Sequence, residues 1–254
     1  MGTRQTGHEV LAAVLRISGG HPQVLAWQRA RDPDRGCWAL PGGRLGDDED
    51  VERSVLRQLA EKVDLREVAH IEQLGVFSDP DRVPGTRLIA TAFLGLVPSD
   101  ADPLVPPDTA WRRVAPGPAG ADPAPDGQLV RTARPPAISG AAFDHGAIVD
   151  AARDRLRAKL SYTNLGFALA PREFTISALR DLYVAALGHP VSATNLQRVL
   201  TRRALLEPTG AVAPPGPSGG RPAALFRFTA RTLRVTDAFA VLKPPGEHGR
   251  GAVP

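Results

Sequence analysis

Apolar positions cluster in VLAAVLRI (10–17) and in QVLAW (23–27), and the intervening SGGHP (18–22) has the composition of a turn, so a β-hairpin is predicted across it. In DVERSVLRQLAEKV (50–63) the apolar residues recur at helical spacing, whereas TRLIATAFLGLV (86–97) is apolar almost throughout and predicts a long buried strand. The first hundred residues are therefore mixed α/β. Between Pro98 and Pro136 ten of 39 residues are proline, which predicts a loop-rich surface region broken only by the strand-like AWRRV (110–114). AIVDAARDRLRAKL (147–160) places Ile148, Ala152, Leu156 and Leu160 four apart, giving an amphipathic helix suited to connect two modules.

The pattern changes beyond it. FTISALRDLYVAALG (174–188) predicts a helix capped by Thr175, striped by Leu179, Leu182, Tyr183 and Ala186, and stopped by Gly188. Pro190 enforces a turn, Ser192 caps ATNLQRVLTRRALL (193–206), and a Pro/Gly-rich hairpin returns through ALFRFT (224–229). Helix, short turn, helix and hairpin in this order make a winged helix-turn-helix. Residues 236–254 have the composition of a tail, and no internal repeat is present.

Charge divides the chain in the same place. Residues 1–150 hold 16 Lys+Arg against 21 Asp+Glu, while residues 151–235 hold 13 against 4, so the back module is the one suited to a polyanion. Cys37 is the only cysteine, which excludes an intrachain disulfide and a cysteine-based metal site. The early run HEVLAAVLRI is interrupted by Glu9 and Arg16 and no apolar stretch approaches membrane length, so a cytoplasmic protein with no membrane partner is expected.

Candidate chemistry lies in GGRLGDDEDVERSVLRQLAEKVDL (42–65). It resembles the Nudix box: Gly43, Glu49, Arg57, Leu59, Glu61 and Leu65 fall at the required spacings, preceded by WALPGG (38–43). In Nudix hydrolases that box holds divalent metal on carboxylates. Three positions depart from the pattern here, with Gln58 and Lys62 where the family has glutamates and Asp64 where it has glycine. On a helical wheel with Arg57 at zero, Glu61 falls at about 40°, Gln58 at about 100° and Lys62 at about 140°, with Leu56, Leu59 and Val63 at about 200–260°. The box positions are thus expected to face away from the core, and Leu56 towards it. Gln58 cannot serve as a base or an anionic ligand, and an ammonium at Lys62 opposes a divalent cation. No catalytic and no metal-ligating residue is assigned, and no cofactor is required. The rival arrangement, in which Glu49, Glu61 and Glu52 capture one Mg²⁺, would make the chain a hydrolase of ADP-ribose or NAD-type pyrophosphates. Carboxylates in DDED (47–50) also suit a helix N-terminus whatever the function.

FSDPDRVPGTR (77–87) resembles the segment of Nudix domains that handle ADP-ribose, which implies Phe77 for base stacking and Arg82 for a phosphate, with pairing to Asp79 or Asp81 as the alternative for Arg82. AFDH (142–145) is similar to the same subfamily. With Glu49, Arg57 and Glu61, these two residues form the candidate ligand set. In the back module, Asn195, Arg198 and Arg202 share one helix face flanked by Thr194 and Thr201, residue types that read base edges and phosphates, while Arg203 lies nearer the apolar side. Arg221 stands at the tip of the hairpin, where a wing reaches DNA.

Together the chain resembles the Nudix-related transcriptional regulators of NAD metabolism, over about residues 8–230 and most specifically in residues 161–200. The expected fold is α+β: an N-terminal Nudix α/β/α sandwich with a mixed sheet (1–146), a connector helix (147–165), a winged helix-turn-helix (166–235) and the tail (236–254). The resemblance implies a homodimeric repressor on palindromic double-stranded DNA upstream of NAD biosynthesis or salvage genes, with ADP-ribose or a related nucleotide as effector. A regulator of the same architecture for a sugar-pathway metabolite is the other reading of that class.

Overall fold

The computed structural model describes residues 6–115, 137–214 and 222–236. A mixed sheet is built on β1 (Gly7–Ser18), whose alternation is the reason it can be covered twice. Leu11, Ala13, Leu15 and Ile17 belong to the apolar cluster on one face, and Val10, Ala12 and Val14 to the cluster on the other. β1 pairs antiparallel with β2 (His21–Gln28) in the expected hairpin, Leu15 opposite Val24, and parallel with β6 (Leu88–Leu96), Val10 opposite Thr91. A parallel pair needs a crossover. Here it is supplied by the short β3 (Trp38–Ala39) and β4 (Gly42–Arg44), the helix α1 (Val51–Val63) and the strand β5 (His70–Phe77). β5 returns antiparallel to β6 at the sheet edge, and β7 (Thr109–Arg113) pairs with β2, so AWRRV is a sheet strand within the otherwise loop-rich region.

Helix α1 covers one face of the sheet. Asp50 caps it by accepting from the Arg53 amide, so part of the acidic run serves the helix start directly. The helix ends at Asp64 in the left-handed region, φ 49°, the conformation for which the box ordinarily has glycine; Asp adopts it at lower cost than bulkier side chains. Two positions differ from the wheel. Gln58 is buried at 4% exposure, not displayed, and Leu56 is 47% exposed, not packed. The helix rests on the sheet through Ser54, Val55, Gln58, Leu59 and Val63, a face rotated towards Gln58 from the one the leucines suggest.

The opposite face is covered by α2 (His145–Tyr162), which buries Ile148, Val149, Ala152, Leu156 and Leu160. After a 3₁₀ turn at Leu165–Ala168 comes the winged helix: β8 (Phe174–Thr175), α3 (Ile176–Leu187), α4 (Ala193–Arg202), β9 (Leu206–Val212) and β10 (Ala224–Phe228), with sheet order β8-β10-β9. Thr175 and Ser192 cap their helices as expected, and Gly188 closes α3 at φ 77°. A single apolar cluster runs from Leu15 on the sheet through Leu156 of α2 to Leu179, Leu196 and Phe228 of the winged helix. The helix read as a connector is therefore a packed layer shared by both modules. The tail beyond Thr236 lies outside the described residues.

Candidate ligand cavity and nucleic-acid face

Arg57 organises the altered box. Its Nε and Nη2 donate to the two carboxylate oxygens of Glu49 at 2.9 and 2.5 Å, and its Nη1 donates to Glu61 at 3.0 Å. Glu49 also accepts from the Gly46 amide at 2.8 Å. The hydrogen bonds from Arg57 and Gly46 bring its pKa down to about 2, leaving it ionised. Beneath them the Gln58 amide, oriented to satisfy both ends, donates to the Gly42 carbonyl at 3.2 Å and accepts from Arg57 at 3.2 Å. A Cβ on Gly43 would come within 2.7–2.9 Å of that amide, so glycine and glutamine fit each other. Lys62 lies 5.8 Å over the Trp27 ring.

These residues are a poor receptacle for a divalent metal. Both family carboxylates are engaged by one guanidinium, and the two missing ones are an amide and an ammonium. Among the described residues no three His, Cys, Asp or Glu side chains converge as a metal site. Arg57 and Glu49 do line a shallow depression of about 460 Å³ with Gly46, Asp47, Asp48 and Arg53.

Phe77 and Arg82 meet elsewhere, on a cavity of about 550 Å³ whose walls include Val76, Phe143, Asp144 and Ala147. Phe77 is 7% exposed at the end of β5. The Arg82 side chain is fully buried and donates from Nε and Nη2 to Asp144 at 2.8 and 2.7 Å, and from Nη1 to Glu9. Its ion partners are thus neither Asp79 nor Asp81, although its backbone amide donates to the Asp79 carbonyl. Burial opposes its charge, but the two carboxylates outweigh that and raise its pKa. With every nitrogen of the fork taken, Arg82 fixes the start of α2 against β1. Next to Asp144, His145 is buried and accepts from the Leu40 amide at Nδ1, 2.9 Å. Burial, with the charges of Arg82 and Arg29, lowers its pKa to about 3. His145 is a helix-start contact.

Sequence patterns did not single out Glu9, Phe143 or Glu72. Glu9 sits in an apolar strand, and its partner is 73 residues away. Phe143 has a positive φ of 51°, which no local motif announces. Glu72 on β5 accepts from His70 at 2.9 Å and from Lys159 of α2, with Arg155 at 3.4 Å. Burial of Glu72 is outweighed by these partners, and its pKa falls to about 2.

In the winged helix, Ser192 starts α4 and Leu196 and Leu200 bury its inner side. Thr194, Asn195, Arg198, Thr201 and Arg202 are all exposed, and Arg198 donates to the Asn195 carbonyl oxygen at 2.8 Å. They form one outward polar face. Arg203 is half-buried and donates to the Ser161 carbonyl at 3.1 Å, tying the end of α4 to α2. Arg221 lies outside the described residues.

Comparison with known proteins agrees with this division. Residues 7–129 match the NUDIX domain family, and residues 166–228 match the NrtR DNA-binding winged helix domain. With the two matches side by side, the chain is similar over most of its length to the NrtR-type regulators. The crystal structure of Shewanella oneidensis NrtR complexed with a 27mer DNA is 28% identical, spans 87% of this chain and 92% of that one, and superposes with a TM-score of 0.66. An ADPR responsive transcriptional repressor from Acinetobacter baylyi is 28% identical over 224 residues, 85% of this chain and 79% of that protein. A shorter match, 37% over 73 residues and 28% of this chain, is to an ADP-ribose pyrophosphatase of Methanocaldococcus jannaschii. Among the described residues no helix is long and apolar enough to cross a membrane.

Proposed function

We propose that this protein is a DNA-binding transcriptional repressor of NAD biosynthesis or salvage genes whose Nudix domain senses ADP-ribose or a related nucleotide. The observation that carries the reading is the pairing of an NrtR winged helix, with its recognition face exposed, to a Nudix domain packed against it through one helix. The similar Acinetobacter protein is named for its response to ADPR, and the similar Shewanella protein is crystallised with DNA. On DNA, Asn195 is suited to adenine and Arg198 and Arg202 to guanine, with Thr194, Thr201 and Arg221 for phosphates or thymine methyls. A homodimer would set two such helices about one DNA turn apart on a palindromic operator.

The Nudix domain acts as a sensor rather than a hydrolase. Arg57 takes both oxygens of Glu49 and one of Glu61, which supports a shared ligand-binding role for the three and sets a guanidinium between the two carboxylates that the family uses for Mg²⁺. The proposed divisions are a sensing domain (1–146), the shared helix (147–165) and the DNA-binding domain (166–235), in a cytoplasmic protein.

A gel shift on DNA upstream of its own gene and of neighbouring NAD genes, titrated with ADP-ribose with and without Mg²⁺, tests this. The expected result is a shifted band that ADP-ribose dissolves in either condition. A band indifferent to the nucleotide would remove ADP-ribose as effector. Mg²⁺-dependent cleavage of ADP-ribose, abolished in Glu61→Gln, would restore the hydrolase.

A further inference from the structure

The chain leaves α2 at Thr163 in an extended conformation, φ −127° and ψ 175°, and passes through Asn164 into the 3₁₀ turn that precedes the winged helix. These two residues are the hinge between the modules. Both are polar, yet they are only 2% and 1% exposed, between Leu160 and Leu165 of the shared apolar cluster. A carboxamide in such a place is costly unless both of its ends are bonded. The partners of Asn164 lie 68 and 70 residues further along the chain.

They are supplied by the segment that follows the wing. Thr229 donates from its amide to the Leu205 carbonyl at 2.9 Å, and the chain then returns to the hinge. The Asn164 side chain accepts from the Arg234 amide at 2.7 Å and donates to the Thr232 carbonyl at 2.9 Å. The Asn164 amide donates to the Arg234 carbonyl at 3.2 Å and the Thr236 amide to the Tyr162 carbonyl at 2.9 Å, which sets Thr163 opposite Val235 as an antiparallel pair. Arg231 donates to the Phe167 carbonyl at 3.3 Å. The outer side of this strap is bare: residues 231–235 are exposed, Leu233 at 37% and Val235 at 54%. Hydrogen bonds hold it, with little apolar burial, and such segments open locally at far less than the free energy of global unfolding. Strap and hinge both fall outside the residues that match the two domain families, so they belong to the joint between the domains.

Two recognition helices that must meet half-sites at a fixed spacing need a rigid joint, and the closed strap makes one. We propose that residues 229–236 are a latch, held shut by Asn164 as its positioning residue, which is closed when the protein holds DNA and opens when the nucleotide releases it. The inference rests on the nucleotide-sensing reading above and names the joint through which it acts.

A reversible crosslink in the full chain tests it. Thr163 and Val235 are flanked by their backbone bonds and not joined by them, the arrangement that brings Cα atoms to about 4.5 Å and admits a disulfide. Thr163→Cys with Val235→Cys, on a Cys37→Ser background, is oxidised or reduced, and anisotropy of labelled operator is followed as ADP-ribose is added. The reduced protein should release DNA as the wild type does, and the oxidised one only at roughly tenfold more ADP-ribose. Release by the crosslinked protein at the wild-type concentration overturns the latch, as does failure of the two cysteines to crosslink. Asn164→Ala opens the latch from the other side. It should bind operator several-fold more weakly without nucleotide and bind ADP-ribose more tightly, since the linkage is reciprocal. A variant that melts with the wild type yet weakens both ligands would give Asn164 a purely structural role and overturn the assignment; where Asn164→Ala does not fold, the crosslink decides. Wild-type protein whose DNA binding ignores ADP-ribose overturns the sensing reading and this inference with it, whereas a wild-type response that the crosslink leaves unchanged overturns this inference alone.

Discussion

At the scale of the residue, His145 shows how burial turns a titratable side chain into a pH-sensitive element of the fold. The folded protein keeps it neutral down to about pH 3 because the site is dry and Arg82 and Arg29 stand nearby. The unfolded chain takes up the proton near the ordinary histidine value of about 6.5. Between these two values the unfolded state binds more protons, so stability falls as pH falls, by at most about 1.4 kcal/mol per pH unit from this group. His145→Gln removes that titration while retaining an oxygen that can accept from the Leu40 amide. Denaturant melts at pH 7 and pH 4.5 should show the variant destabilised at pH 7 by about 1–2 kcal/mol for the altered packing. The gap should close or reverse at pH 4.5. An unchanged gap would mean that His145 does not carry the acid sensitivity. None of this was legible in AFDH as a sequence, because the depth of the site is created by the sheet beneath it.

At the scale of the element, period and capping were legible and orientation less so. The hairpin of β1 and β2, the strand β6 and the caps of α3 and α4 follow from local chemistry, and the structure has them where the pattern put them. β5 went unread: HIEQLGVF alternates weakly because an edge strand paired only with β6 buries little beyond Leu74 and Phe77. Gln58 was read correctly as an amide in place of a carboxylate but on the wrong side of α1, since an amide can be buried once Gly42 and Arg57 satisfy it. For α4 the wheel sufficed, because Leu196 and Leu200 fix its inner face. That face yields a sharp expectation. Arg198→Ala should weaken operator binding by about 1–3 kcal/mol if Arg198 reads a base, with loss of discrimination at that position, whereas a phosphate contact would weaken all sequences alike. Fluorescence anisotropy on operator and scrambled DNA at two salt concentrations separates the two. Equal affinity of variant and wild type on both DNAs would remove Arg198 from the interface.

For the whole molecule, α2 is anchored at both ends to parts with different tasks. At its start Asp144 grips Arg82 on the cavity wall, along its length Lys159 and Arg155 hold Glu72 of β5, and near its end Arg157 donates to the Ala186 carbonyl of α3 while Ser161 accepts from Arg203. A Cβ on Gly188, the residue that closes α3, would lie 2.6 Å from the Arg157 guanidinium, so this side chain reaches the turn before the recognition helix. If a nucleotide and DNA prefer different placements of α2, their binding energies are linked, and the linkage is reciprocal. Arg157 lines neither cavity and lies on α2, not on the exposed face of α4. Arg157→Ala should therefore leave ADP-ribose affinity and DNA affinity, each measured alone, within a few-fold of the wild type. The factor by which ADP-ribose weakens DNA binding should shrink by roughly threefold to tenfold, the range a residue on a coupling route commands. The same reduction must appear when DNA is present first and ADP-ribose is titrated second. A variant that binds each ligand normally and still couples them fully would show that the signal reaches α4 by another path, such as the packing of α3 on β1 and β2, the Ser99–Leu169 hydrogen bond or the His70–Phe167 ring contact.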